Sequence, residues 1–327
     1  MSKKILVIRF NAIGDIVLTS PVVKALAISG HEVHYLCKKT FSSLIDSNPH
    51  VSKTWFLDTD WTKLVAELKS EGFDCVLDLH NTLRSNKLRK ALGLKSYALK
   101  KDRWNDMFIT RFQFARNQRR HIVERFMDAA SELLDGAYET NPEFYFPGGK
   151  SYLGIDLPGE AYVCLAVSTA HRTKNIPLHN LKAVIKNLDA HIILIGGPDD
   201  REVTKILLED ASNDRLIDYA GILSIDESAY VISKSELLIT GDTGMMHIAA
   251  ALDIPVAAVF GSTHPILGYT PYYGSKAVNH AIIQNEELSC RPCTRQGRES
   301  CPKGHFKCMK GISVDKIVST VEALLKA

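Results

Sequence analysis

No stretch of this 327-residue chain approaches the ~18 consecutive apolar residues of a membrane-spanning helix. The apolar run nearest the N-terminus, Ile5-Leu6-Val7-Ile8, is too short for the hydrophobic region of a signal peptide. These two shortfalls predict a cytoplasmic protein. No repeat with a period of roughly 20–50 residues and no low-complexity tract is present, which argues against a repeat array. No strand-like run leads into G-x-G-x-x-G, which weakens a nicotinamide-dependent reading. No acidic pair suited to a catalytic divalent metal is evident. Seven cysteines do not suggest a secreted disulfide scaffold in a chain of this size. Three of them, Cys37, Cys75 and Cys164, sit in apolar strand-like segments and read as small buried hydrophobes.

What is present is ordinary globular material, 45% hydrophobic and 24% charged, and long enough for two domains. Apolar runs predict strands at 4–9, 32–37, 53–57, 74–79 and 95–98. Amphipathic stretches predict helices at 16–28, 41–47, 61–71, 84–92 and 121–135. This alternation argues for parallel βαβ units. Breakers gather at Asn141-Pro142 and Pro147-Gly148-Gly149, placing a junction within 141–160. The expected domains are 1–155 and 156–327. A second series predicts strands at 161–167, 191–195, 236–240, 255–259 and 277–283, with helices at 178–188, 199–210, 225–233, 244–252 and 313–326.

Two loops stand out, each between a strand and a helix. The first runs from Arg9 to Asp15, the second from Gly241 to His247. Loops at the carboxyl ends of parallel strands are where open α/β sheets bind ligands. Asp15 reads either as a helix N-cap or as a carboxylate able to take a proton from a hydroxyl. Thr243 and Gly244 would offer a hydroxyl and backbone N–H groups at a helix N-terminus, a natural phosphate site. Asp242 reads as a helix cap or an acceptor for a sugar hydroxyl. His247 reads as a phosphate donor or a packed histidine. Gly196-Gly197-Pro198-Asp199-Asp200 reads as a nucleotide-facing turn or a plain tight turn.

The net charge of +3 is unevenly spread. Between Arg84 and Arg125 thirteen Lys or Arg face three acids, a local excess of +10, with Tyr97, Trp104, Phe108, Phe112 and Phe114 interleaved. Each single charge reads as solvated surface, but together they would attract a polyanion or an anionic membrane surface. No nucleic-acid-binding motif accompanies them, so nucleic acid is not an expected partner. The remaining cysteines, Cys290, Cys293, Cys301 and Cys308, surround His305. The C-x-x-C spacing favours metal or redox chemistry, with a structural zinc, free thiols or a disulfide all open.

Both loops resemble glycosyltransferase family 9, the heptosyltransferases of the lipopolysaccharide inner core. Ile5 to Arg9, Gly14-Asp15-Ile16-Val17-Leu18-Thr19 and Pro21 are similar to that family's opening signature. Asp242 to His247, Ala249 to Leu252, Pro255, Phe260-Gly261 and Thr263-His264-Pro265 are similar to its second. The family has small polar residues where this chain has Asn11 and Ala12. The resemblance implies a GT-B fold of two Rossmann-like domains facing across a cleft, with the C-terminal helix returning to the first domain. It implies Asp15 as general base for inverting transfer of heptose from ADP-heptose to a Kdo-containing lipid A acceptor at the inner membrane face, with no metal needed for chemistry. Ser168 to Pro177 resembles the family's donor loop, with Thr169 and Lys174 at matching positions. Asn11, Gly14, His80 and Arg84 lie in segments resembling its acceptor side. Donor binding would fall to Thr169, Lys174, Asp242, Thr243, Gly244 and His247. Another nucleotide sugar, or a non-catalytic anionic-lipid binder of the same fold, remains an alternative.

Overall fold

The structure, a computed structural model, describes residues 2–57, 60–101, 107–110, 119–210 and 215–327. The chain divides into two compact units. The first holds Met1–Asp102, Arg120–Lys150 and Tyr273–Ser275; the second holds Arg103–Arg119, Ser151–Tyr272 and Lys276–Ala327.

In the first unit, strands β1 (Lys4–Ile8), β2 (Glu32–Cys37), β3 (Lys53–Phe56), β4 (Cys75–Asp78) and β5 (Lys95–Ala98) form a sheet of order β3-β2-β1-β4-β5. Every neighbouring pair is parallel, with Ile8 opposite Leu36 and Asp78. Helices α1 (Ile13–Val17), α2 (Ser20–Ile28), α3 (Trp61–Ser70), α4 (Leu83–Leu92) and α5 (Ile122–Ala130) belong to the same unit. A parallel sheet is covered on both faces, which is why Ile5, Leu6, Val7 and Ile8 are all buried. Leu64 and Leu68 of α3 and Leu88 of α4 pack with Leu6, Ile8 and Val76 in one core. Each such leucine contributes roughly 1.5–3 kcal/mol by leaving water.

The expected helix 16–28 starts earlier and is broken in two. The Ser20 hydroxyl donates to Val17 O at 2.7 Å, and the Thr19 hydroxyl donates to Ile16 O at 2.7 Å. Pro21 has no N–H and its ring crowds the carbonyl four residues back, so one helix cannot run through this point. The expected helix at 41–47 is a 3₁₀ segment, Lys39–Leu44.

In the second unit, β6 (Tyr162–Ala166), β7 (His191–Ile195), β8 (Leu216–Asp218), β9 (Leu237–Gly241), β10 (Val256–Phe260) and β11 (His280–Gln284) pair in parallel in the order β11-β10-β9-β6-β7-β8. Helices α6 (Leu178–Asn187), α7 (Arg201–Asp210), α8 (Ile225–Ser233), α9 (Gly244–Ala251), α10 (Lys307–Lys310) and α11 (Val314–Leu325) complete it. β8 is a three-residue edge strand, too short to leave an apolar period in the sequence. The apolar face of the C-terminal helix packs within the second unit. Ile317 and Val321 of α11 are buried with Leu181, Val184 and Ile185 of α6 in a core of the second unit, with Leu324 and Leu325 packed against it. Among the described residues no helix is long and apolar enough to cross a membrane.

Each strand order reverses direction once, between β1 and β4 in the first sheet and between β6 and β9 in the second. Strand ends diverge at such a point and leave a crevice beyond the carboxyl ends of the strands. The loop after β1 and the loop after β9 both emerge there.

Candidate active site

At the first reversal, Arg9 closes an apolar strand and is only 8% exposed. Its Nε donates to Asn11 O at 2.7 Å and its Nη1 to Leu79 O at 2.8 Å. Its Nη2 pairs closely with Asp15 Oδ2. One guanidinium thus ties the β1 loop to the end of β4 and fixes one carboxylate oxygen. The other oxygen, Asp15 Oδ1, is buried with no hydrogen-bond partner among the described residues. Asp15 is not the helix cap. That position belongs to Ala12, which makes no side-chain cap, and Asp15 lies inside the first turn. Asn11 is half-buried and Gly14 is buried beside it.

After β4, the fully buried Asp78 accepts from His80 N at 3.0 Å and Asn81 N at 2.7 Å through Oδ1, and its Oδ2 lies 3.1 Å from Arg89 Nε. Asn81 adopts φ 45°, a left-handed turn that Asn tolerates. The turn sets the His80 ring 5.0 Å from that of Phe10. Burial, with the charges of Arg9, Lys101 and Lys38, lowers His80 to about 3. It is a neutral imidazole near pH 7, so it enters any anion contact as a hydrogen-bonding group and not as a cation. Arg84 is exposed in the first turn of α4, which the Thr82–Ser85 capping box begins.

At the second reversal, the loop after β6 is braced from within. Thr169 N donates to Asn175 Oδ1 at 2.8 Å, and the Thr169 hydroxyl donates to His171 O at 2.8 Å. Lys174 Nζ lies 3.1 Å from Asp242 Oδ2, each side chain 13% exposed. Asp242 therefore holds a lysine and does not cap the helix. The cap is Thr243, whose Oγ1 accepts from Met246 N at 3.3 Å and lies 3.0 Å from Thr240 Oγ1. Gly244 and Met245 open α9 with N–H groups that helix geometry leaves without intrahelical partners. Gly241 is required by close approach: a β-carbon there would meet Lys174 O at 2.6 Å. His247 is 4% exposed, within the helix packing. The Gly196–Asp200 turn closes on itself, Gly197 N donating to Asp200 Oδ2 at 2.7 Å.

The seven cysteines are free, with Cys37, Cys75, Cys164 and Cys308 buried and the other three half-buried. Among the described residues, Glu32, His34 and Glu71 have ligand atoms within 4.8 Å of one another. Lys4 and Lys53 already neutralise those carboxylates, which disfavours a cation there. Much of the basic segment 84–125, including Trp104, Phe112 and Phe114, lies outside the described residues. Of the rest, Arg89 pairs with Asp78, Lys95 with Glu132, and Arg120 with Glu124 and Asp128. Partners outside the segment thus offset part of its excess. Sequence reasoning attached no role to Arg9, Asp78 or Asn175. A charge ending a fully apolar parallel strand was the available signal for Arg9.

The sequence model of glycosyltransferase family 9 (heptosyltransferase) matches residues 61–302, well over half of the chain. Lipopolysaccharide heptosyltransferase 1 of Pseudomonas aeruginosa is 23% identical over 317 residues, covering 90% of this chain and 86% of that protein. The structure of Escherichia coli ADP-heptose lps heptosyltransferase II superposes with a TM-score of 0.75 at 19% identity, covering 99% of this chain and 98% of the other. E. coli heptosyltransferase WaaC with ADP gives a TM-score of 0.68 at 19% identity, covering 99% and 100%. The two parallel-sheet domains are those of the GT-B fold.

Proposed function

The chain belongs to glycosyltransferase family 9, and we propose that it moves heptose from ADP-heptose to an anionic, Kdo-containing lipid A acceptor with inversion at the anomeric carbon. The observation that carries this reading is the state of Asp15. One of its oxygens is held by Arg9 and the other is buried and unpartnered. A buried carboxylate oxygen without a donor is costly, and an acceptor hydroxyl would satisfy it. The same contact sets that hydroxyl to lose its proton to Asp15 as it attacks. His80 and Arg84, on the neighbouring strand end and helix, are the acceptor contacts in this reading.

On the donor side, the bond from the anomeric carbon to the diphosphate oxygen breaks and negative charge builds on that oxygen. Lys174 and the free amides at Gly244 and Met245 supply positive charge there without reorganising. Asp242 positions Lys174. Thr169 shapes the loop, since its hydroxyl already bonds that loop. The relative solved with ADP supports an adenine nucleotide as donor. Action at the cytoplasmic face of the inner membrane follows from the acceptor's nature. No metal is assigned to the chemistry.

Calorimetric titration with ADP, UDP, GDP and CMP, without added metal, followed by transfer from ADP-heptose to Kdo-lipid A, tests the proposal. Selective ADP binding with transfer is expected. Preference for another nucleotide would discard heptose and keep the glycosyltransferase. No nucleotide binding would favour a non-catalytic lipid binder.

A further inference from the structure

Thr173 lies in the loop after β6, directly before Lys174, and is 3% exposed. Each of its polar groups is bound by another loop. Thr173 N donates to Arg298 O at 3.0 Å, and Thr173 O accepts from Ser262 N at 3.3 Å. Thr173 Oγ1 accepts from Arg298 N at 2.8 Å and from Ser262 Oγ at 2.9 Å. A β-carbon at Gly297, which adopts φ +106°, would lie 2.5 Å from His171 Cβ, so the segment before Arg298 runs directly against the same loop.

Ser262 follows β10, and its own place is set by the chain between β11 and α10. The four consecutive carbonyls from Phe260 to Thr263 are all taken by that chain. Arg291 donates to Phe260 O and Thr263 O at 3.0 Å each and to Gly261 O at 2.5 Å. Cys293 N donates to Ser262 O at 3.2 Å. A further Arg291 bond reaches Asn285 O, just beyond β11, at 2.9 Å. Arg291 is buried, and the bonds it makes there need a planar fork of donors that only a guanidinium offers. One continuous set of contacts thus runs from Arg291, through Ser262, to the residue before Lys174.

We infer that Thr173 and Arg291 are positioning residues for the donor diphosphate. The Arg291 clamp fixes the loop at 260–263, and Thr173 docks onto it the backbone that carries Lys174. The inference rests on the donor-site reading above. Neither residue is a ligand of the diphosphate in that reading, and both act through Lys174.

Lys174 is held at both ends of its side chain. Its Nζ lies 3.1 Å from Asp242 Oδ2. Its N donates to His171 O at 2.9 Å, and its carbonyl is the atom that a β-carbon at Gly241 would strike. A lysine stem is flexible, so the ammonium is placed only as well as the backbone beneath it. Fixed positive charge helps most because it need not reorient as negative charge builds. A merely structural role for Thr173 would lower stability whether or not Lys174 is present. A positioning role disappears once the lysine is gone, because nothing is left to misplace.

The test uses the full chain, with ADP calorimetry and hydrogen exchange of the amides of 168–177. Thr173→Val keeps the side-chain shape and removes the hydroxyl. It should weaken ADP binding about tenfold and speed exchange of that loop by about as much, the worth of one net hydrogen bond. Thr173→Ser should restore both. In a Lys174→Met background, Thr173→Val should change ADP affinity by less than about twofold. Arg291→Lys keeps the charge but not the fork, and should show the same loss and the same coupling to Lys174. If that variant does not fold, Ser262→Ala removes one hydroxyl of the same link and should reproduce the Thr173→Val loss. An equal ADP loss in both backgrounds, or faster exchange with ADP affinity unchanged, overturns the positioning role. Unchanged affinity in folded Arg291→Lys or in Ser262→Ala overturns the link to Arg291. If the wild-type chain binds no nucleotide, faster exchange in Thr173→Val keeps the brace on Lys174 and sinks the donor reading instead.

Discussion

Replacing Asp15 by Asn preserves the side-chain shape and removes the charge. Arg9 keeps its bonds to Leu79 O and Asn11 O but loses its only carboxylate among the described residues. Breaking a fully buried pair costs about 3–5 kcal/mol. Here the Arg9 and Asp15 side chains are 10% and 21% exposed, and Asn retains an oxygen for the guanidinium. The folded state should therefore lose only about 1–2 kcal/mol. The chemical loss should be larger. General-base catalysis contributes about 10²–10⁴-fold, or roughly 3–5 kcal/mol of barrier. The donor contacts lie on other loops, so ADP affinity should stay within about twofold. Turnover by coupled ADP release, ADP calorimetry and urea unfolding separate the three effects. A variant keeping more than about a tenth of wild-type kcat refutes Asp15 as the base. Loss of ADP binding in parallel with kcat would show that the substitution disturbed the fold and not the proton transfer.

Lys174→Met should weaken ADP binding about 10–100-fold, the loss of a charge-assisted contact, and calorimetry reads it. Gly241→Ala should cost about 1–3 kcal/mol of stability and weaken ADP binding as well, because its β-carbon would push against Lys174 O; urea midpoint and calorimetry together check this. His80 titrates at about 3 in the fold and near its ordinary 6.5 when unfolded. The unfolded chain then binds more protons between those values, so this contribution is complete above pH 6.5 and falls away as pH drops. His264, lowered to about 4 by burial and the charge of Arg291, acts in the same direction. His80→Gln should shrink the stability lost between pH 7 and pH 5 by on the order of 1 kcal/mol, measured by urea unfolding at both values. An unchanged loss would contradict a neutral His80.

Where the structure departs from the sequence reading, polar side chains are usually the reason. The helix expected over 16–28 has the right apolar spacing, but the hydroxyls of Thr19 and Ser20 take the carbonyls that would continue it. Asp15 and Asp242 are both good cap residues by type, and neither caps. In each case a neighbouring cation claims the carboxylate, leaving the cap to Ala12 or Thr243. The basic segment is less charged in effect than its count because its acidic partners come from other elements. The C-terminal helix was read correctly as amphipathic, yet its period carried no information about which surface receives it.

The sequence by itself determined the alternation of buried strands and half-buried helices, and with it two parallel sheets. It also determined the two glycine-bearing loops that leave β1 and β9. Those features are local, set by side-chain periodicity and chain stiffness over a few residues. Only the tertiary structure decided which charges meet. Arg9 reaches Leu79 across 70 residues, and Thr173 reaches Arg298 across 125. Such contacts depend on strand order and register, which bring distant strand ends together at the point where each sheet reverses. The free oxygen of Asp15 and the lysine held by Asp242 both arise from that convergence.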